Sequence, residues 1–114
     1  MKKILLVEDD KSIIENLKEF LLNEGYYVDT VAVQSAAIDL LDQNQYDLLP
    51  IDISLSEGNG FAVCKAAKSK NDVPVIFLTA SGDEYSVVTG LDMGADDYIN
   101  KPFRPRELSS RIRS

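Results

Sequence analysis

Short, almost continuously apolar runs alternate along the chain with longer segments whose apolar residues recur every three or four positions. The runs Ile4-Leu5-Leu6-Val7, Tyr27-Val28 with Val31, Leu48-Leu49-Pro50-Ile51 and Val75-Ile76-Phe77-Leu78 mostly lack the polar alternation of a half-exposed strand. They predict strands covered on both faces. Between the first two, Lys11 to Glu24 places Ile13, Ile14, Leu17, Phe20 and Leu21 on one helical stripe, with Asp9 or Asp10 available as N-cap and Gly25 as the stop. Ser35 to Asn44 repeats the spacing through Ala36, Ala37, Leu40 and Leu41, and Gly60 to Ser69 through Phe61, Val63, Cys64 and Ala67. Asp83 to Met93 predicts a weaker helix, because Val87, Val88 and Thr89 are β-branched and Gly90 interrupts it. Tyr98-Ile99 reads as a last short strand, and Pro105, favourable at the first helical position, opens a final helix through Leu108 and Ile112.

Five successive strand-then-helix units without a linker, repeat or low-complexity tract imply an α/β domain, a parallel sheet flanked by helices. The crossovers should be right-handed. A length of 114 residues suits one domain, and 45% hydrophobic with 27% charged residues is an ordinary globular balance. No apolar run approaches the roughly 18 residues of a membrane helix, and Met1-Lys2-Lys3 leads straight into a strand, so the expected location is cytoplasmic, with no membrane partner. One cysteine and no histidine exclude a zinc finger, a Ser/His/Asp triad and a Cys/His pair. Cys64 is expected to be a small buried hydrophobe. The net charge of -7 disfavours nucleic acid and anionic lipid, so DNA binding would belong to another domain.

The polar residues at the ends of the apolar runs carry the chemistry: Glu8-Asp9-Asp10 after the first, Asp52 after the third, Thr79 after the fourth and Lys101 after the fifth. In an open parallel sheet these strand ends share one edge, where ligands bind. Singly, each has a plain structural explanation as a helix cap, a turn acid, a strand hydroxyl or a solvated lysine. Together, three acids at one edge repel unless a cation offsets them, and an oxygen-only ligand set points to a hard ion such as Mg2+. A carboxylate nucleophile, a metal, a lysine and a hydroxyl donor around one oxyanion outline a phosphoryl-transfer site.

With those residues in place, the chain resembles the receiver domain of bacterial two-component response regulators. The resemblance runs from Val7-Glu8-Asp9-Asp10 through Asp52-Ile53-Ser54-Leu55, Gly58-Asn59-Gly60 and Leu78-Thr79-Ala80 to Gly94-Ala95-Asp96-Asp97-Tyr98-Ile99-Asn100-Lys101-Pro102-Phe103. It implies a single receiver domain over 1–114 with a flavodoxin-like (βα)5 fold, a five-stranded parallel sheet of order 2-1-3-4-5. It makes Asp52 the phosphoacceptor, Asp9 a direct Mg2+ ligand, Glu8 an outer-sphere acid holding metal-bound water, and the carbonyl of Ser54 a backbone ligand. Thr79 and Lys101 would each contact a phosphoryl oxygen, and Tyr98 would turn inward as Thr79 is drawn to the phosphoryl group. The Lys101-Pro102 peptide would be cis. Such a domain is not an enzyme in its own right, and its partner is a sensor histidine kinase. The ending from Lys101 to Ile112 is similar to the OmpR/PhoB subfamily, whose receivers precede a winged-helix DNA-binding domain; such an effector domain is expected to follow these 114 residues in a longer protein. In that subfamily a homodimer forms on phosphorylation through the helix over 83–93, the last strand and the last helix, which nominates Asp92, Asp96, Asp97, Glu107 and Arg111.

Four residues depart from the pattern. Pro50 sits two residues before Asp52 on an expected central strand, where it removes a ladder donor and leads us to expect a bulge, a shifted Asp52 or a tolerated gap. Ser56 replaces the usual loop proline, Arg104 stands where a capping serine is common, and Val87 occupies a position that is often basic in the dimer contact. A dinucleotide site is rejected because acids fill the turn after the first strand and Val63 stands where a third glycine is needed. A haloacid-dehalogenase-type phosphatase is rejected because Ser54 stands where a second acid belongs. Two rivals remain: a receiver that no longer takes phosphate, and a stand-alone regulator acting by protein contact alone.

Overall fold

Each apolar run becomes a parallel strand in the computed structural model, which describes residues 2–80, 88, 89, 92 and 94–113. The strands are β1(Lys3–Val7), β2(Tyr27–Val31), β3(Leu49–Asp52), β4(Val75–Ala80) and β5(Asp97–Lys101), ordered β2-β1-β3-β4-β5 as expected. They alternate with helices α1(Lys11–Asn23), α2(Gln34–Gln43) and α3(Gly60–Asn71), and α4(Pro105–Arg113) comes after β5. Of the helix expected over 83–93, only residues 88, 89 and 92 are described, all helical; Val87 lies outside the described residues. Among the described residues no helix is long and apolar enough to cross a membrane.

The unbroken apolar runs have a direct cause in the packing. Successive side chains of a strand point to opposite faces. Leu5, Val7, Leu49, Ile51, Val75 and Phe77 join one buried cluster with Ala37 and Leu41 of α2 and Val63, Cys64 and Ala67 of α3. Ile4, Leu6, Leu48, Ile76, Leu78 and Ile99 join a second with Leu17 and Leu21 of α1 and Leu108 of α4. Both faces are therefore covered, and truncating any of these large side chains to Ala should cost about 2 to 5 kcal/mol. Cys64 is fully buried, and burial pushes its thiol up, which suits a packing role.

Local choices set the element ends. Asp10, not Asp9, caps α1, its Oδ1 accepting from the amides of Ser12 at 2.9 Å and Ile13 at 3.2 Å. Asp9 is thereby left for other work. Strands β3, β4 and β5 run further than their apolar cores, reaching Asp52, Ala80 and Lys101, because ladder pairing continues through the polar residues at their ends.

Pro50 produces neither a bulge nor a shift. On its β4 side the register is continuous, Leu49↔Val75, Pro50↔Ile76, Ile51↔Phe77 and Asp52↔Leu78. On the β1 side the pairs Ile4↔Leu48 and Val7↔Ile51 keep one register across a gap centred on residues 49 and 50. An imino acid has no N–H to donate, so the defect is confined to β1–β3 pairing and Asp52 keeps its place beside β4.

Candidate functional site

Register alone brings the polar residues together. Val7 pairs with Ile51, so Glu8 and Asp52 emerge side by side from adjacent strands. Asp52 pairs with Leu78, which puts Thr79 one step beyond, and Ala80 pairs with Lys101. Because β4 lies between β3 and β5, the Lys101 side chain has to cross the end of β4 to reach the acids. It does so: Nζ donates to Glu8 Oε1 at 2.6 Å and to Asp52 Oδ2 at 3.1 Å. The other oxygen of Asp52, Oδ1, accepts the Ser54 amide at 3.1 Å, and Glu8 Oε2 accepts the Asp9 amide at 3.2 Å. Glu8 is 0% exposed and Asp52 7%, whereas Asp9 is partly open to solvent.

One carboxylate oxygen from each of Glu8, Asp9 and Asp52 lies within 4.8 Å of the others, so these three can share a cation. The donor set is purely oxygen, which fits a hard divalent ion. Burial, reinforced by the neighbouring Asp52 carboxylate, pushes the Glu8 carboxyl up to about 8, with Lys101 opposing the rise. Burial lowers the Lys101 ammonium, but its bonds to Glu8 and Asp52 outweigh that and hold it above the usual lysine value. Ionising Glu8 would set two buried carboxylates against one fixed cation, so the site is poised to take a second cation as it gives up that proton.

This charge excess gives stability a measurable pH dependence. A carboxyl that binds its proton more tightly folded than unfolded contributes stability fully below its unfolded value and loses it as pH climbs to the folded value. For Glu8 the window runs from 4.5 to about 8, and no histidine titrates inside it. Thermal unfolding in EDTA should therefore show stability falling between about pH 5 and 8 by roughly 2 to 4 kcal/mol, at about 1.4 kcal/mol per pKa unit. A flat or rising profile across that window would show Glu8 to be ionised throughout.

The remaining expected residues lie around this centre and on the far edge of the sheet. Thr79 is buried one residue before the end of β4, opposite Asn100 and one step before the Ala80↔Lys101 pair. Ser54 stands two residues after Asp52, exposed, with an antiparallel bridge to Asn59. Tyr98 is half-buried and packs against the cluster that contains Phe77, and the Lys101-Pro102 peptide is cis. On the far side, Arg111 Nη1 donates to both carboxylate oxygens of Asp97 at 2.8 Å, with Glu107 at 3.8 Å from Nη2. Asp96 is committed elsewhere, bonding Lys68 Nζ at 2.8 Å and the Val75 amide at 2.9 Å. Asp92 is exposed.

Gly60 is a site residue that periodicity read only as a helix start. A Cβ there would collide with the Asp52 carbonyl and the Ile51 side chain, so α3 can begin directly against the strand end that carries Asp52. Asn59 caps that helix, its side-chain oxygen accepting the Ala62 amide at 3.0 Å. The Gly-Asn-Gly spacing is the visible signal for this tight entry.

Comparison with known proteins agrees with this geometry. A family model described as the response regulator receiver domain matches residues 4–113. The transcriptional regulatory protein CpxR of Escherichia coli (strain K12) is 46% identical over 114 residues, covering 100% of this chain and 49% of CpxR. The non-phosphorylated HemR receiver domain from Leptospira biflexa has a TM-score of 0.91 at 37% identity, covering 99% of this chain and 92% of that one. Response regulator DrrB of Thermotoga maritima, an OmpR/PhoB homolog, has a TM-score of 0.88 at 34% identity, covering 99% of this chain and 51% of DrrB. The chain spans about half the length of the curated relatives it matches.

Proposed function

This chain belongs to the response regulator receiver family, and from that premise we propose that Asp52 accepts a phosphoryl group from the phosphohistidine of a sensor kinase. The observation that supports it most is the grouping of the Asp52 carboxylate with the Lys101 ammonium that bonds it and with the Glu8 and Asp9 acids that can share a cation with it. One Asp52 oxygen forms the new P–O bond as the P–N bond to the imidazole breaks, and the released imidazole takes up a proton. Lys101 can transfer a hydrogen bond from Asp52 to a phosphoryl oxygen, and the Thr79 hydroxyl can donate to another. Mg2+ held by Asp9, Asp52 and the Ser54 carbonyl, with Glu8 holding a coordinated water, would supply positive charge to the phosphoryl oxygens. The family is one of regulatory domains, not of enzymes, and the chain promotes only its own phosphorylation and dephosphorylation.

The test is intact-protein mass after incubation with acetyl phosphate. The expected result is one added phosphoryl group in Mg2+ and none after chelation with EDTA. Undiminished transfer in excess EDTA would remove the metal from the reaction, and no transfer in saturating Mg2+ would favour a receiver that only binds partners.

The output we propose is transcriptional, through a DNA-binding domain in the remainder of a longer cytoplasmic protein, because CpxR is a transcriptional regulator about twice the span matched here. Phosphorylation would favour a homodimer in which Asp97 meets Arg111 of a second copy. Asp97 is the better candidate because Asp96 already serves the Val75 amide and Lys68. Since Arg111 is satisfied by Asp97 within its own chain, dimerisation exchanges one exposed ion pair for another and gains little from it. Sedimentation with a stable phosphoryl mimic should show a weak, salt-sensitive dimer that Arg111→Ala weakens further. A monomer under every condition would overturn the homodimer.

A further inference from the structure

The loop from Asp52 to α3 is not free-standing. It folds around the side chain of Gln34, the first residue of α2, which is half-buried. Val33, the residue before α2, offers no side-chain cap, and the orphan amide of Gln34 instead donates to the Glu57 carbonyl at 3.0 Å. In return Gln34 Oε1 accepts the Asn59 amide at 3.1 Å. Gly58, at φ 83, passes so close that a Cβ there would collide with the Gln34 side chain. Three consecutive loop residues therefore close on one glutamine.

Asn59 then passes the constraint inward. Its backbone bridges Ser54, its side chain caps α3 at the Ala62 amide, and the next amide, Gly60, donates to the Ile53 carbonyl at 2.9 Å. Ser54 in turn donates its amide to Asp52 Oδ1. We infer that Gln34 is a positioning residue for the phosphoacceptor loop, holding Asn59 and, through the Asn59–Ser54 bridge, the Ser54 backbone in register with Asp52. This rests on Asp52 being the phosphoacceptor and the Ser54 carbonyl a metal ligand. Gln34 touches neither substrate nor metal; it lowers the number of conformations from which the loop must select a cation-binding one.

The test compares Gln34→Met, which keeps the bulk Gly58 wraps but loses the acceptor, with Gln34→Glu, which keeps an acceptor oxygen. Gln34→Ala guards against a misfit of Met, and Lys70→Ala, which cuts an ion pair to Asp42 elsewhere between α2 and α3, is the structural control. The first readout is amide hydrogen exchange in the metal-free protein. Exchange at Asn59 and Ser54 should quicken about 2- to 10-fold in the Met and Ala variants, the range one ordinary hydrogen bond supports. It should stay near the parent rate in Gln34→Glu and Lys70→Ala. The second readout is Mg2+ titration without a phosphoryl donor, then with acetyl phosphate. Half-saturation should rise by a similar factor in the Met and Ala variants while the transfer rate at saturating Mg2+ stays within about twofold of the parent.

Parent-like exchange and half-saturation in both Gln34→Met and Gln34→Ala would overturn the inference. So would a general loss of protection with unchanged Mg2+ half-saturation, which marks a merely structural contact, or a Gln34→Glu variant with exchange as fast as Gln34→Met. If the parent itself takes no phosphoryl group, the reading of Asp52 fails, and the exchange comparison still decides whether Gln34 holds the loop.

Discussion

Asp52→Asn is expected to take up no phosphoryl group from acetyl phosphate under conditions that modify the parent fully, a loss of roughly a thousandfold or more in rate. The amide is the same size as the carboxylate and can still accept from the Ser54 amide, so the loop should stand. What disappears is the nucleophilic charge. The same substitution removes one of two buried like charges beside Lys101, and with it one cause of the high Glu8 pKa. The metal-free variant should accordingly be no less stable than the parent at about pH 8, with a shallower decline between pH 5 and 8. Loss of transfer with stability kept separates a reacting residue from a structural one. A variant that still gains the phosphoryl mass would show that another group is the nucleophile, and one that unfolds would show that Asp52 holds the strand end together.

Much of this site is legible in the sequence because a parallel sheet collects its strand ends at one edge, so single residues far apart in the chain can be grouped before any coordinates exist. Glu8, Asp52 and Thr79 come directly after apolar runs and Lys101 one residue beyond the last, and each lies where that rule puts it. The extent of β4 and β5 was not legible, because Thr79, Asn100 and Lys101 interrupt the apolar pattern while backbone pairing ignores side-chain polarity. Nor was the response to Pro50, since a missing donor can be met by a bulge or by a gap and only the neighbouring strand decides between them. Tyr46 carried no signal at all. It lies in the loop before β3 and is 5% exposed because its hydroxyl bonds Asp29 at 2.6 Å while Lys3 sits over its ring. Gln34 escaped for a related reason: its partners are backbone groups of another loop, which leave no trace in periodicity.

Lys101→Met should move two properties of the site in opposite directions. The ammonium is the one cation among the described residues that touches both Glu8 and Asp52, which places it to meet a developing phosphoryl charge. Transfer at saturating Mg2+ should therefore slow by about 10²- to 10³-fold, the usual effect of deleting one donor to an oxyanion. Mg2+ binding should tighten, because a divalent ion no longer competes with a fixed ammonium for the same carboxylates. In EDTA at about pH 8 the variant should lose roughly 3 kcal/mol, since breaking a buried pair leaves its acids uncompensated. At about pH 6 the loss should be smaller, because Glu8, whose pKa lies near 8, already carries its proton there and less buried negative charge is left uncompensated. Titration by calorimetry, transfer rate by mass and melting at the two pH values read these effects separately. Slower transfer with weaker Mg2+ binding would mean that Lys101 organises the metal site rather than opposing its charge, and unchanged transfer would remove it from the chemistry.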